Sequence, residues 1–250
     1  VYKQLLLSLQ EVGVEWVQLE EPALTKDLRK VDILEMREIY AQLMTELPLK
    51  VMLTTYFEGV QKLSELYTLP VDGFGLDFVA GYEENIEQLT RFPKDKVLAL
   101  GIIDGQKIWR ANYAHILEKI TDVEQRCQPR ELWLQTSCHL QHVPVTKQGE
   151  PFFKELYDAV SFADEKLDEV VLVKELRQQS VANLIKLNEN EQQLQALQKH
   201  TCRRNEQVKE ALSKINTKDF KRVSTFTRRK RLQQLFLDLP NYPTTIVNGF

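Results

Sequence analysis

The alternation of apolar runs with amphipathic stretches between Val14 and Pro144 constrains the fold more than any other feature. Five runs have the length and apolar density of strands that are buried on both faces. They are residues 14–20, 50–55, 74–79, 97–103 and 131–136. Between them, residues 33–46, 59–67, 84–91 and 112–126 carry apolar side chains at helical spacing. The repeating unit is therefore a strand followed by a helix, which builds a parallel sheet.

Parallel strands joined by helices form either an open doubly wound sheet or a closed barrel. The first strand-to-helix turn lacks the GxGxxG loop of a dinucleotide-binding fold, which favours the barrel. We therefore predict an α/β fold, a (β/α)8 TIM-type barrel that is incomplete, with about five C-terminal βα units of the barrel in residues 1–150. The chain begins at Val1 and enters a predicted helix over residues 2–10 at once, so we expect it to be a fragment.

The sequence after Pro144 has the apolar periodicity of helices. One apolar stripe runs through Phe153, Leu156, Val160, Ala163, Leu167, Val170 and Val171, and a second through Leu184, Leu187, Leu194 and Leu197. These stripes predict a helical extension over residues 151–240 that completes the domain, and residues 241–250 would begin the segment that leads to another domain. The basic run at residues 221–231 could bind nucleic acid, but the solvated face of a last helix is favoured.

Composition excludes several classes of protein. The 33 basic and 36 acidic residues give a net charge of -3, so the whole chain has no attraction for nucleic acid or anionic lipid. No apolar run reaches the ~18 residues of a spanning helix and no leader is visible, so we expect a cytoplasmic protein. Cys127, Cys138 and Cys202 form no CxxC pair, which indicates reduced thiols rather than a disulfide framework or a self-contained zinc site.

Residues that do chemistry in a parallel barrel lie at the carboxyl ends of the strands. The candidates there are Glu20, Glu21, Thr54, Thr55, Tyr56, Asp77, Asp104, Cys138 and His139. A pairing of Cys138 with His139 or His142 as nucleophile and base is disfavoured, because neighbours on an extended segment point to opposite faces. A zinc site would need three or four soft ligands, which these positions do not offer.

Three further positions have local interpretations. Glu20 and Glu21 could act as acid and base, but a structural role in the fold is favoured. Asp104 followed by Gly105 indicates a turn. Trp109 is expected to be a packing anchor whose indole N–H bonds to a carbonyl. The residues alone therefore predict part of a barrel with no complete active site.

Seven collinear segments resemble the amino-terminal domain of cobalamin-independent methionine synthase. They are EWVQLEEPAL, LTTYFEG, LPVDGFGLDFVAG, LALGIIDGQKIWR, SCHLQHVPV, FADEKLDEVVLV and LPNYPTTIVNGF. The resemblance implies a two-barrel zinc enzyme that transfers a methyl group from 5-methyltetrahydropteroyl-polyglutamate to homocysteine. It also implies that zinc is held by the carboxyl-terminal catalytic barrel of the same polypeptide, outside this chain.

The resemblance further implies a scaffold role for this part, which would support the folate tail and substrate but be inactive alone. Thr54, Tyr56, Asp77 and Cys138 stand where the catalytic copy has its zinc ligands, so we expect no catalytic residue, metal ligand or cofactor here. The family's homocysteine-contacting Ile-Gly-Ser tripeptide corresponds to three residues that depart from it: Val247, Asn248 and Gly249.

Two alternatives stay open at this point. The chain could be a stand-alone barrel that acts as a binding or partner-docking module, for folate or for another domain. A corrinoid- or uroporphyrinogen-type relative of the same barrel superfamily would need histidines or arginines at the strand ends, which the sequence does not supply.

Overall fold

A computed structural model describes residues 1–150, 156–178, 180–200, 205–238, 240 and 242. The chain divides into two compact units, Val1–Leu194 and Gln195–Phe250. The first unit contains a parallel sheet with its covering helices, and the second contains short helices. The predicted division at residues 150 and 240 stays a prediction.

The sheet consists of five parallel strands in sequential order. They are β1 (Trp16–Glu20), β2 (Lys50–Thr54), β3 (Gly73–Asp77), β4 (Val97–Ile103) and β5 (Glu131–Thr136). All five predicted strands are confirmed. β3 ends earlier than predicted because the Asp77 carboxylate accepts hydrogen bonds from the backbone N–H groups of Val79 and Ala80 and turns the chain.

The helices of the repeat lie between these strands. They are α1 (Tyr2–Glu11), α2 (Lys30–Met44), α3 (Leu63–Leu66), α4 (Tyr82–Gln88) and α5 (Tyr113–Arg126). α5 begins where its N-cap predicts, since the Asn112 side chain accepts a hydrogen bond from the N–H of His115. α3 is shorter than predicted, because the backbone N–H and C=O of Val60 bond to the side chains of Asn85 and Gln88.

The described residues after β5 contain four further α-helices: α6 (Ala163–Leu176), α7 (Val181–Lys199), α8 (Glu206–Ser213) and α9 (Phe226–Leu237). The predicted stripe from Phe153 to Val171 is wrong as a single helix. Val160 instead pairs with Trp109 in an isolated antiparallel bridge, and Phe153 lies outside the described residues. Leu167 and Val171 are exposed. The buried side of α6 carries Lys166, Glu169, Val173 and Leu176.

The sheet has a different core on each face. One face packs against the helices in the main hydrophobic core. On the other face Met52, Val97 and Ala99 form a small cluster that includes the partly buried rings of Trp16 and Trp133. The two indoles meet edge to face, with centroids 4.8 Å apart. Because β1 and β5 are the two edges of the sheet, this contact requires a strongly curved sheet.

In residues 1–150, 156–178, 180–200 and 205–238, no helix is both long enough and apolar enough to cross a membrane.

Candidate functional site

The strand register brings the predicted site residues to one edge of the sheet. Glu20 is the register partner of Thr54, Asp77 of Gly101, and Ile103 of Thr136. The side chains that follow these positions therefore meet at the carboxyl edge, as predicted. These side chains can act on a ligand only where they are not already bonded within the fold.

Tyr56 links the ends of β1 and β2. Its hydroxyl donates a hydrogen bond of 2.9 Å to Glu20 Oε1 and accepts one of 2.8 Å from Gln18 Nε2. Burial, together with the bond to Glu20, raises the pKa of Tyr56, so the phenol stays protonated at neutral pH. This arrangement favours the structural interpretation of Glu20 over a role as acid or base.

Asp77 is buried and bonded on both carboxylate oxygens. Oδ2 accepts from the backbone N–H of Phe57 at 2.9 Å, and Oδ1 accepts from Val79 and Ala80 at 2.7 and 2.9 Å. Phe57 has a φ of 78°, a left-handed conformation that is rare for an aromatic residue. Burial raises the pKa of Asp77, although the three backbone hydrogen bonds oppose the shift. Asp77 therefore holds the loop that follows β2 with Phe57 in its left-handed backbone conformation.

Cys138 and His139 do not form a catalytic pair. The Cys138 thiol lies 3.5 Å from the carbonyl oxygen of His139, and burial raises its pKa to about 11. The His139 ring instead stacks on His142, with centroids 4.8 Å apart, and meets Tyr56 and Phe57 edge to face. A protonated, buried thiol with no base beside it is a poor nucleophile.

The prediction for Asp104 is confirmed, whereas the prediction for Trp109 is not. Asp104 forms the predicted turn, because its Oδ1 accepts from the backbone N–H groups of Gln106 and Lys107. The prediction for Trp109 is wrong: its side chain is exposed, and its backbone carbonyl accepts a bond from Lys166 Nζ. The backbone rather than the indole anchors this segment.

Lys166 and Glu169 are buried on α6 and were missed by the sequence analysis. Burial lowers the pKa of Lys166, while the negative charges of Glu169 and Asp104 oppose that shift. Glu169 Oε1 accepts from Ser161 Oγ at 2.8 Å, from the Ala111 N–H at 3.1 Å and from Tyr113 Oη at 3.4 Å. The available signal was the helical spacing of both residues with Phe162 and Val173, which are also buried.

A cleft of about 260 Å³ lies beside the exposed end of β1. Gln18, Glu20, Glu21 and Tyr40 contribute its polar lining, and Tyr2 and Leu43 are among its other walls. It brings together the two glutamates that the sequence singled out. It contains no histidine, cysteine or basic side chain that would complete an acid–base or metal site.

The residues at the carboxyl edge do not fit a zinc ion. Zinc ligands must be deprotonated and free to coordinate. The Cys138 thiol is protonated by burial, both Asp77 oxygens accept backbone hydrogen bonds, and Tyr56 is bonded to Glu20. No group of three or more His, Cys, Asp or Glu side chains in the described residues could hold a metal ion.

We expect the purified chain to release zinc during dialysis against a weak chelator, because this edge presents no set of available ligands. Metal analysis after dialysis checks this, with the Cys138→Ala variant as a matched control. Stoichiometric zinc that survives dialysis in the chain and is lost in the variant would contradict the prediction.

Comparison with known proteins identifies the family. The model of the cobalamin-independent synthase N-terminal domain matches residues 1–128, which is just over half of the 250 residues. The chain belongs to this family. The resemblance found in the strand motifs is thereby confirmed, and the site described above is the carboxyl edge of an N-terminal domain of the cobalamin-independent synthase family.

Curated relatives of this N-terminal domain extend the match to the whole chain. Those of Bacillus velezensis and Bacillus subtilis are each 40% identical over 255 residues, covering 100% of this chain and 33% of the relative. A Bacillus cereus relative is 37% identical over 257 residues. All three are named 5-methyltetrahydropteroyltriglutamate–homocysteine methyltransferase. The chain spans a third of the length of these relatives.

A solved structure from Listeria monocytogenes, described as a vitamin-B12 independent methionine synthase, has a similar fold. The TM-score is 0.52 at 16% sequence identity, and the match covers 72% of this chain and 53% of the other. At this identity the likeness supports the α/β fold with parallel strands and carries no further conclusion.

Proposed function

We propose that this chain is the later part of the amino-terminal domain of a zinc methyltransferase that makes methionine from homocysteine and 5-methyltetrahydropteroyl-polyglutamate. One observation carries the proposal: the whole chain matches a third of each of several relatives that are named for this activity. Glu20, Tyr56 and Asp77 at the carboxyl edge are bonded within the fold, which is consistent with a part that supports catalysis without performing it. The chain alone is therefore inactive.

In this proposal the sheet is part of an incomplete (β/α)8 barrel. The sequential order of the parallel strands supports it, because an open doubly wound sheet reverses its strand order. The contact between Trp16 and Trp133 also supports it, since alternate strands of such a barrel contribute side chains to shared interior layers. β1 and β5 would then face each other across the barrel interior.

The remaining assignments belong to the whole enzyme. Zinc would lie in the carboxyl-terminal catalytic barrel of the same polypeptide, where it would activate the homocysteine thiol. This chain, residues 1–240, would provide a scaffold and support for the folate tail in a cytoplasmic enzyme. Homocysteine contacts at Val247, Asn248 and Gly249 lie outside the described residues, and their assignment stays a proposal.

A chimeric enzyme tests this function. In the Bacillus subtilis relative, the matched third is replaced by these 250 residues, and methionine formation from homocysteine and methyl-folate is measured. We expect activity in the chimera and none in the isolated chain. An inactive but folded chimera, or turnover by the isolated chain that Cys138→Ala abolishes, would contradict the proposal.

The barrel proposal predicts an unprotected strand in the isolated chain. β1 has a paired neighbour on one side, whereas β3 has neighbours on both. Water reaches the amides of an unpaired edge, so we expect amides in β1 to exchange at least ~100-fold faster than those in β3. Exchange by mass spectrometry, with sedimentation to detect self-association, checks this. Equal protection in a monomer would contradict an open edge.

A further inference from the structure

The charge of the chain is unevenly distributed between its two units. Residues 195–250 contain 12 basic and 4 acidic side chains, a net charge of +8. Residues 1–194 contain 21 basic and 32 acidic side chains, a net charge of -11. The overall charge of -3 therefore hides a strongly basic carboxyl-terminal unit that favours an acidic partner.

This basic unit also exposes apolar side chains. None of its described residues from 205 to 242 is buried. Among its exposed apolar side chains are Phe220, Phe226, Leu232, Leu235, Phe236 and Tyr242. Isolated helices as short as α8, with 8 residues, and α9, with 12, are marginal in water. This many exposed large apolar side chains on short helices favour an interaction site.

The pattern along α9 indicates the class of partner. Its basic residues occupy four consecutive positions, Arg228 to Arg231, and at ~100° per residue they encircle the first half of the helix. The second half carries Leu232, Leu235, Phe236 and Leu237. A membrane-surface helix separates its faces along its whole length instead, and nucleic acid would leave the leucines uncovered. The four basic residues form no ion pair with a described carboxylate.

We propose that α9 is a docking element for the carboxyl-terminal domain of the same polypeptide, which receives it in an apolar socket with an acidic rim. The inference rests on the proposed function. The relatives are about three times as long as the matched region, so the docking partner would be covalently tethered to α9. Tethering gives effective concentrations of about millimolar, at which a small interface is occupied.

Amide exchange of residues 226–237 tests the proposal in the isolated chain and in the Bacillus subtilis chimera. We expect rapid exchange in the isolated chain and at least tenfold slower exchange in the chimera. Phe236→Asp should abolish that protection, since it puts a charge in the socket. Gln233→Asp, on the same exposed helix, is the matched control and should retain the protection. The double variant Arg228→Glu/Lys230→Glu should reduce the protection, because its acidic side chains would repel the acidic rim.

The possible outcomes separate this inference from the proposed function. Exchange in the chimera can be measured whether or not the chimera forms methionine. The inference is overturned if α9 exchanges equally in both proteins, or if Phe236→Asp and Gln233→Asp behave alike. It is also overturned if RNA, phosphatidylserine vesicles or a raised concentration of the isolated chain protects α9 to the same degree as the chimera does.

Discussion

Replacement of Glu169 by alanine is expected to lower the free energy of unfolding by about 3–5 kcal/mol. Glu169 Oε1 accepts hydrogen bonds from Ser161, Ala111 and Tyr113, and Arg110 Nε lies 4.0 Å from the same oxygen. Without the carboxylate, these buried donors lose their acceptor and the Arg110 guanidinium loses its counter-charge. Two chain segments, residues 110–113 and the segment that contains Ser161, would lose their common anchor on α6.

Urea denaturation of the chain measures this loss. Asp168→Ala is the matched control, because Asp168 precedes Glu169 on the same helix and is exposed. The control is expected to change stability by less than about 0.5 kcal/mol. A Glu169→Ala variant as stable as Asp168→Ala would show that the buried carboxylate has no structural role.

Replacement of Asp77 by alanine is expected to destabilise the chain by about 3 kcal/mol, because three backbone N–H groups would lose their acceptor. One of these groups belongs to Phe57, whose left-handed backbone depends on that bond. The exposed Asp95→Ala substitution is the control. Thermal and urea unfolding of both variants provide the measurement, and equal stabilities would refute the assigned role.

The same variant should show a defined pH dependence. Burial raises the pKa of Asp77 in the folded chain above its unfolded value of about 3.9. A raised carboxyl pKa contributes stability that is complete below the unfolded pKa and is lost as pH rises through the folded pKa. The destabilisation by Asp77→Ala should therefore be larger near pH 4 than at pH 7. A larger effect at pH 7 would contradict the direction of the shift.

The sheet could be predicted from sequence because its strands are apolar on both faces. β4 is buried at every position, so its apolar run coincides with the strand. α6 could not be predicted in the same way, since charged Lys166 and Glu169 face inward while Leu167 and Val171 face outward. A prediction from apolar spacing assumes that the apolar side chains are the buried ones. On α6 the hydrogen bonds of charged side chains determine which side of the helix is buried.

The positions of the site residues were predictable, but their bonding was not. Strand ends located Tyr56 and Asp77 at one edge of the sheet. Their roles depend on partners far away in the chain: Tyr56 bonds to Glu20 across 36 positions, and Asp77 accepts a bond from Phe57 across 20. Spacing within a segment carries no information about such pairs. The sequence therefore identified the candidate positions, but not the hydrogen bonds through which the fold uses them as structural acceptors and donors.

The decisive measurement is the intact mass of the polypeptide that carries this sequence in its source cells. We expect a protein about three times as long as these 250 residues, with a zinc-binding domain after Phe250. A mature protein of 29.2 kDa that ends at Phe250 would contradict it and favour the alternative of a stand-alone binding or docking module.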